Sequence, residues 1–113
     1  MHEYSIVQSL VDRIEREVRT HAASGVRRIR IGIGDLSGVE RELLQTAYDT
    51  FRAGTVCAGA ELEIDRIEAR WDCGRCGTPI ARGERLTCPA CGVPGRLTQG
   101  DEILLERVEL EVA

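Results

Sequence analysis

From residue 4 to about residue 21, apolar side chains recur at Ile6, Leu10, Val11, Ile14 and Val18, with Asp12, Arg13, Glu15, Arg16 and Arg19 on the opposite side. That spacing predicts an amphipathic helix, and Gly25 breaks its pattern. The period then shortens to two. Over residues 26–33, Ile29, Ile31 and Ile33 alternate with Arg28, Arg30 and Gly32, as in a strand with one buried face. Gly34-Asp35-Leu36-Ser37-Gly38 reads as a turn, and Ser37 and Glu40 stand in the S-x-x-E relation of a capping box. The helix opened by that box is expected to reach about Arg52, with Val39, Leu43, Leu44, Ala47, Tyr48 and Phe51 on its apolar side and Gly54 as its stop. A second strand is predicted over residues 61–71. Its apolar parity changes between Leu62/Ile64 and Ile67/Ala69/Trp71, which places a bulge near Asp65. A third strand covers residues 102–112, with Leu104, Val108, Leu110 and Val112 on one parity.

Residues 72–98 carry almost no core material: Ile80, Leu86, Val93 and Leu97, among many glycines and three prolines. Burial cannot offset the backbone entropy of ordering roughly 27 residues at ~1–2 kcal/mol each. The segment contains Cys73-Gly-Arg-Cys76 and Cys88-Pro-Ala-Cys91. In each pair, two intervening residues let both sulfurs meet one ion from a tight turn, and Gly77 and Gly92 permit the left-handed backbone such a turn uses. Four thiolates in a tetrahedron suit zinc, whose binding is strong enough to fold such a lobe. Iron in a rubredoxin-like site uses the same ligands. Redox-active dithiols fit less well, because two pairs so close together argue for joint coordination. A saturated four-sulfur site keeps no open position for catalysis.

The fold class that follows is α+β: two helices packed on a three-stranded mixed sheet, with an inserted zinc-ribbon-like lobe. A helix between the first and second strands allows a parallel, right-handed crossover. The second and third strands are expected to pair antiparallel, with the lobe as an enlarged hairpin end. The boundaries are 1–70 plus 99–113 for the α+β domain and 71–98 for the lobe.

Composition narrows the function. No apolar run approaches the ~18 residues of a membrane span, and the opening Met-His-Glu-Tyr-Ser has no basic region ahead of an apolar stretch. A cytoplasmic address without membrane association is therefore expected, where thiols stay reduced and cysteine pairs hold metals. Fifteen basic residues, all arginine, stand against nineteen acidic ones, a formal net of −4. That balance, with Tyr4, Tyr48, Phe51 and Trp71 as the only aromatics, weighs against nucleic-acid binding. It suits a protein that handles cations or meets a basic partner. Nothing suggests an enzyme. There is no serine–histidine or cysteine–histidine set, and Cys57 reads as a small buried residue. Gly32, Gly34 and Gly38 miss the phosphate-loop spacing, and the P-loop lysine is missing.

Of the two histidines, His21 falls at the end of the first helix, where an imidazolium suits the dipole. His2 stands next to Met1, which is expected to be retained because methionine removal requires a small second residue. An amine, a backbone amide and an imidazole are then within reach of one ion, with the amide of Glu3 close by. Planar nitrogen ligands select Ni(II) or Cu(II) over zinc. Amides at a helix start have no intrahelical acceptor, so recruiting them breaks no ladder bond. The bland reading is a solvated tail.

The order Met1-His2-Glu3-Tyr4-Ser5, Ile31-Gly32-Ile33-Gly34, Cys73-x2-Cys76, Cys88-x2-Cys91 and Thr98-Gln99-Gly100-Asp101-Glu102 resembles the HypA/HybF family of nickel metallochaperones over essentially the whole chain. The resemblance implies a nickel-binding domain with a separate zinc lobe. It also implies delivery of Ni(2+) for maturation of the [NiFe]-hydrogenase large subunit, in concert with the GTPase HypB, with urease served by some relatives. Carried over to this chain, His2 is the nickel ligand through its side chain, and Met1 and Glu3 contribute main-chain atoms. Cys73, Cys76, Cys88 and Cys91 are the ligands of a structural Zn(2+). Glu40 falls where some members place an acidic residue near the nickel site. The histidine that some relatives recruit from the zinc lobe has no counterpart here. The expected state is a monomer or weak homodimer. The alternative is a zinc-ribbon adaptor for protein or nucleic acid, without nickel.

Overall fold

Residues 2–81 and 85–112 are described by a computed structural model. In chain order they form α1 (Glu3–Thr20), β1 (Gly25–Gly34), α2 (Arg41–Phe51), β2 (Glu61–Ile67), β3 (Arg70–Cys73), β4 (Pro79–Ile80), β5 (Gly95–Gln99) and β6 (Ile103–Glu111). The strands make two separate three-stranded sheets, ordered β2-β1-β6 and β4-β3-β5. The radius of gyration is 17.9 Å, against about 13 Å for a compact chain of this length.

The helices lie on the first sheet. Val7, Val11 and Ile14 of α1 are fully buried, with Ile6, Leu10 and Val18 half-buried beside them. The inward stripe therefore starts from Glu3 and Val7, and the sequence pattern, which lacked Val7, was centred to one side of it. Ile29, Ile31 and Ile33 of β1 meet this stripe together with Leu44 and Tyr48 of α2. The Tyr48 hydroxyl donates to the carbonyls of Ala60 (2.8 Å) and Cys57 (3.3 Å), satisfying it inside the core. The opposite face of the sheet has ion pairs instead of a second helical layer. Arg30 Nε lies 2.6 Å from Asp65 Oδ2, and Arg28 Nε lies 3.4 Å from Glu63 Oε1.

Several expectations are corrected. β1 is the central strand, parallel to β2 as expected but antiparallel to β6, so the second and third predicted strands do not pair with each other. The strand predicted over residues 61–71 is two strands in different sheets, and β2 pairs without a break through Asp65. The parity change records the chain leaving one sheet for the other after Ile67. The bulges lie instead in the β1–β6 ladder. Arg30 faces Arg107 while Ile31 faces Leu105, which leaves Glu106 as the extra residue. Leu105 and Val108 thus both reach the core, and Leu104, predicted inward, is exposed. The capping box does not form: Glu40 is the N-cap of α2 without a side-chain cap, and the Ser37 hydroxyl accepts from Val39 N–H at 3.3 Å. α2 is correspondingly shorter at its start than predicted. At the end of α1 the left-handed residue is Ala22 (φ 49), three residues before Gly25.

The two sheets meet where three stretches of backbone cross. Asp35 N–H donates to Ile67 O (2.9 Å), Leu36 N–H to Gly100 O (2.6 Å) and Gly34 N–H to Glu102 O (2.8 Å). Arg66 grips Asp35 with two bonds of 2.7 and 2.9 Å. A Cβ on Gly34 would sit 2.2 Å from Gly100 O, and one on Gly100 (φ 116) would sit 2.5 Å from Ala69 Cα. Neither backbone can withdraw without releasing the bonds just named. Gly34→Ala is therefore expected to destabilise the protein by more than about 2 kcal/mol, whereas Gly25→Ala, with nothing within 4 Å, should change stability by less than about 1 kcal/mol. Equal midpoints for the two variants in urea denaturation would contradict this account of the junction.

Candidate metal centre

β3 runs directly into the first cysteine turn. Cys73 N–H is bonded to Thr78 O (2.9 Å) and Gly77 N–H to Cys73 O (3.0 Å). The second turn repeats the pattern, with Cys88 N–H on Val93 O and Gly92 N–H on Cys88 O, both at 2.8 Å. Gly77 and Gly92 have φ of 75° and 67°, the left-handed conformation in which a side chain would be strained. Each turn aims amides at its leading sulfur. Arg75 and Cys76 N–H lie 3.3 and 3.4 Å from Cys73 Sγ, and Cys91 N–H lies 3.4 Å from Cys88 Sγ. At Cys73 such bonds favour the thiolate over the thiol.

The two turns bring the sulfurs of Cys73, Cys76, Cys88 and Cys91 within 4.8 Å of one another. Cys76 and Cys88 are 3.7 Å apart, close to the edge of about 3.8 Å of a tetrahedron with metal–sulfur bonds of about 2.3 Å. The Thr78 hydroxyl, 3.0 Å from Cys76 Sγ, holds the Cys76 thiol down to about 6. The Cys73 thiol is also lowered, by the amides of Cys76 and Arg75. Cys91, crowded against Cys76, is pushed up to about 12. Sulfurs this close cannot all ionise unaided, and a divalent cation at their centre removes the conflict. The donor set is that of a four-sulfur metal site and fits zinc, which would be held by all four cysteines as a cross-link without an open coordination position.

The site predicted at the chain start is placed in part. His2 is the N-cap of α1, exposed, with its imidazole capping no helix amide. Its carbonyl accepts the first ladder bond from Ile6 N–H at 3.0 Å, so the amides of Glu3, Tyr4 and Ser5 lie outside the ladder. Met1 lies outside the described residues. Glu3 is only 6 % exposed, and its Oε2 accepts from Glu40 N–H at 3.3 Å. Sequence reasoning missed this contact, and it missed Thr78, whose place two residues after the second cysteine was the available signal. Cys57 is fully buried, as expected, and burial, followed by the charge of Glu15, pushes its thiol up to about 11. His21 is the C-cap residue of α1, with its imidazole 3.7 Å from Glu17 on the surface.

A family model described as "Hydrogenase/urease nickel incorporation, metallochaperone, hypA" matches residues 1–110. The chain belongs to the HypA family. It is 40% identical to hydrogenase maturation factor HypA of Aquifex aeolicus over 114 residues, covering 99% of both chains. It is 39% identical to the Shewanella baltica factor of the same name, covering 98% of this chain and 97% of that one. A solution structure of a HypA protein superposes with a TM-score of 0.84 at 30% identity, covering 100% of this chain and 98% of the other. The nickel metallochaperone HypA from Helicobacter pylori gives 0.76 at 30% identity, covering 100% of both. The two-helix, mixed-sheet architecture with clustered cysteines is thus that of the HypA family, whose members are nickel-incorporation metallochaperones. Among the described residues, no helix is long and apolar enough to cross a membrane.

With metal removed by a chelator, amide exchange should accelerate across residues 70–99 while the core amides of α1 and β1 stay protected; unchanged protection in the lobe would refute a metal-held fold. In the stripped protein, four thiols should react quickly with Ellman's reagent as the lobe opens, and Cys57 only on unfolding of the helical core, because its side chain is fully buried there. A fifth fast equivalent would show that the core admits the reagent.

Proposed function

We propose that the chain is a nickel carrier that takes up Ni(II) at its start. The ion would be held by the His2 imidazole with main-chain atoms of Met1 and Glu3, then handed on during maturation of the [NiFe]-hydrogenase large subunit in concert with the GTPase HypB. In this reading, residues 1–70 plus 99–113 are the nickel-binding domain. Residues 71–98 are a lobe whose cysteines hold structural Zn(2+), the protein works in the cytoplasm, and it catalyses no reaction.

One observation carries the reading. In a chain of this family, His2 stands exposed at the first turn of α1 with its imidazole uncommitted to capping, beside amides that the helix ladder does not use. Glu3 ties this start of the chain to the helix pair, since its buried carboxylate accepts from the amide of Glu40. Ionised amides would neutralise a divalent cation and remove its conflict with the positive end of the helix dipole. Imidazole and amide nitrogens bind copper more tightly than nickel, so nickel delivery by such a site depends on supply and docking.

His2→Ala is expected to weaken Ni(II) binding at least about hundredfold, since even an outer-shell partner is worth 10–100-fold. Zinc content and circular dichroism should stay the same. Isothermal titration with Ni(II), beside a version extended by a few residues ahead of Met1, checks this; nickel affinity unchanged in both would reject the assignment.

A further inference from the structure

The arginines of the two sheets stand in different company. Around the sheet β2-β1-β6, Arg28, Arg30, Arg66 and Arg107 have carboxylates at 3.4, 2.6, 2.7 and 3.2 Å. Across residues 70–99, Arg70, Arg75, Arg85 and Arg96 are all exposed, and none has an ion-pair partner among the described residues. Residues 70–99 contain five arginines and two acids, Asp72 and Glu84, while the rest of the chain has ten arginines and seventeen acids. Four thiolates around a divalent ion would subtract two charges and still leave the lobe positive on an acidic protein.

Two of these unpaired guanidiniums share a concavity. Arg75 comes from the first cysteine turn and Arg96 from β5, and both line a shallow groove of about 590 Å³ with Gly74, Val93, Pro94 and Gly95. A Cβ at Gly74 would meet nothing within 4 Å, so the groove is open at that end. Val93 and Pro94 add apolar contact between the charged positions.

We infer that this groove is a docking surface for a short acidic segment of a partner protein, whose carboxylates pair with Arg75 and Arg96 while its chain lies against Val93 and Pro94. Guanidinium groups recognise carboxylates with two parallel hydrogen bonds. Such pairs are individually weak in water, so the segment needs more than one acid and its binding must fall with salt. A nucleic acid fits less well. No aromatic side chain lines the groove for a base to stack on, and a long polyanion would run onto the negative remainder of the molecule. The inference does not depend on nickel at His2.

The test uses the full, zinc-loaded chain and a fluorescein-labelled oligoglutamate peptide read by anisotropy. Arg75→Glu with Arg96→Glu should weaken binding at least about tenfold, and Arg13→Glu with Arg16→Glu on α1, the same change in net charge, by less than about twofold. Binding should also weaken between about 50 and 300 mM salt. Zinc stoichiometry verifies the fold, and Arg75→Gln with Arg96→Gln replaces the first pair if its lobe does not form. No binding, or equal losses in the two charge-reversed proteins, overturns the proposal. Tighter binding of a labelled oligothymidylate that is lost with Arg75 and Arg96 overturns it in favour of a nucleic-acid surface.

Discussion

In the lobe the buried side chains among the described residues are those of Cys73, Ile80 and Cys88, with Trp71, Val93 and Leu97 only half-buried, and two of the three buried ones belong to the sulfur cluster. Hydrophobic burial at about 25 cal/mol per Å² has little to act on there, while every residue still loses backbone freedom on ordering. The turns, the three short strands and the path back to β6 therefore depend on four sulfurs sharing a cation. The amides of Arg75, Cys76 and Cys91 that point at sulfur belong to the same arrangement, because they are satisfied by thiolates and would be poorly satisfied by thiols.

At the other end of the molecule the organisation is conventional. A helix pair covers one face of a sheet, and its contacts explain why the first turn of α1 is held in place. Tyr4 packs edge-on against Phe51 with ring centres 5.3 Å apart, and Glu3 reaches the amide that opens α2. That carboxylate does for α2 what the predicted Ser37–Glu40 box would have done, from a residue 37 positions earlier in the chain. A negative side chain at a helix start is favourable by the dipole as well as by the hydrogen bond.

The sequence revealed what local periodicity encodes. The α1 stripe, the alternation Ile29-Ile31-Ile33 and the two cysteine turns each follow from neighbours within one element, and each was legible. What depended on distant partners was not. Nothing local says that Trp71 has left the sheet of Ile64, or that β6 pairs with β1 on the side away from β2. The residues 95–99 form β5 with only Leu97 as a sizeable apolar side chain, too little for a pattern. Leu104 is exposed because one extra residue, Glu106, reverses the faces on either side of it, and the unbroken run Ile103-Leu104-Leu105 hides the parity change that would mark the bulge. His2 stands out by its position beside Met1, whereas the burial of Glu3 depends on α2 lying beside α1.

Because β6 follows the lobe in the chain, the central strand gains its second neighbour only after the whole cysteine segment has been traversed. Ile103 must return to Ile33 across roughly 35 residues of open chain when the lobe is unfolded, at a closure cost of about 3 kcal/mol. Once Arg70 is paired with Gln99, the effective loop shrinks to roughly seven residues and the cost drops by about 1.4 kcal/mol, a factor of ten in how often β6 is seated. An ion bound far from the helices thus shortens the chain that the helical end experiences, and completing one sheet becomes a step in the assembly of the other.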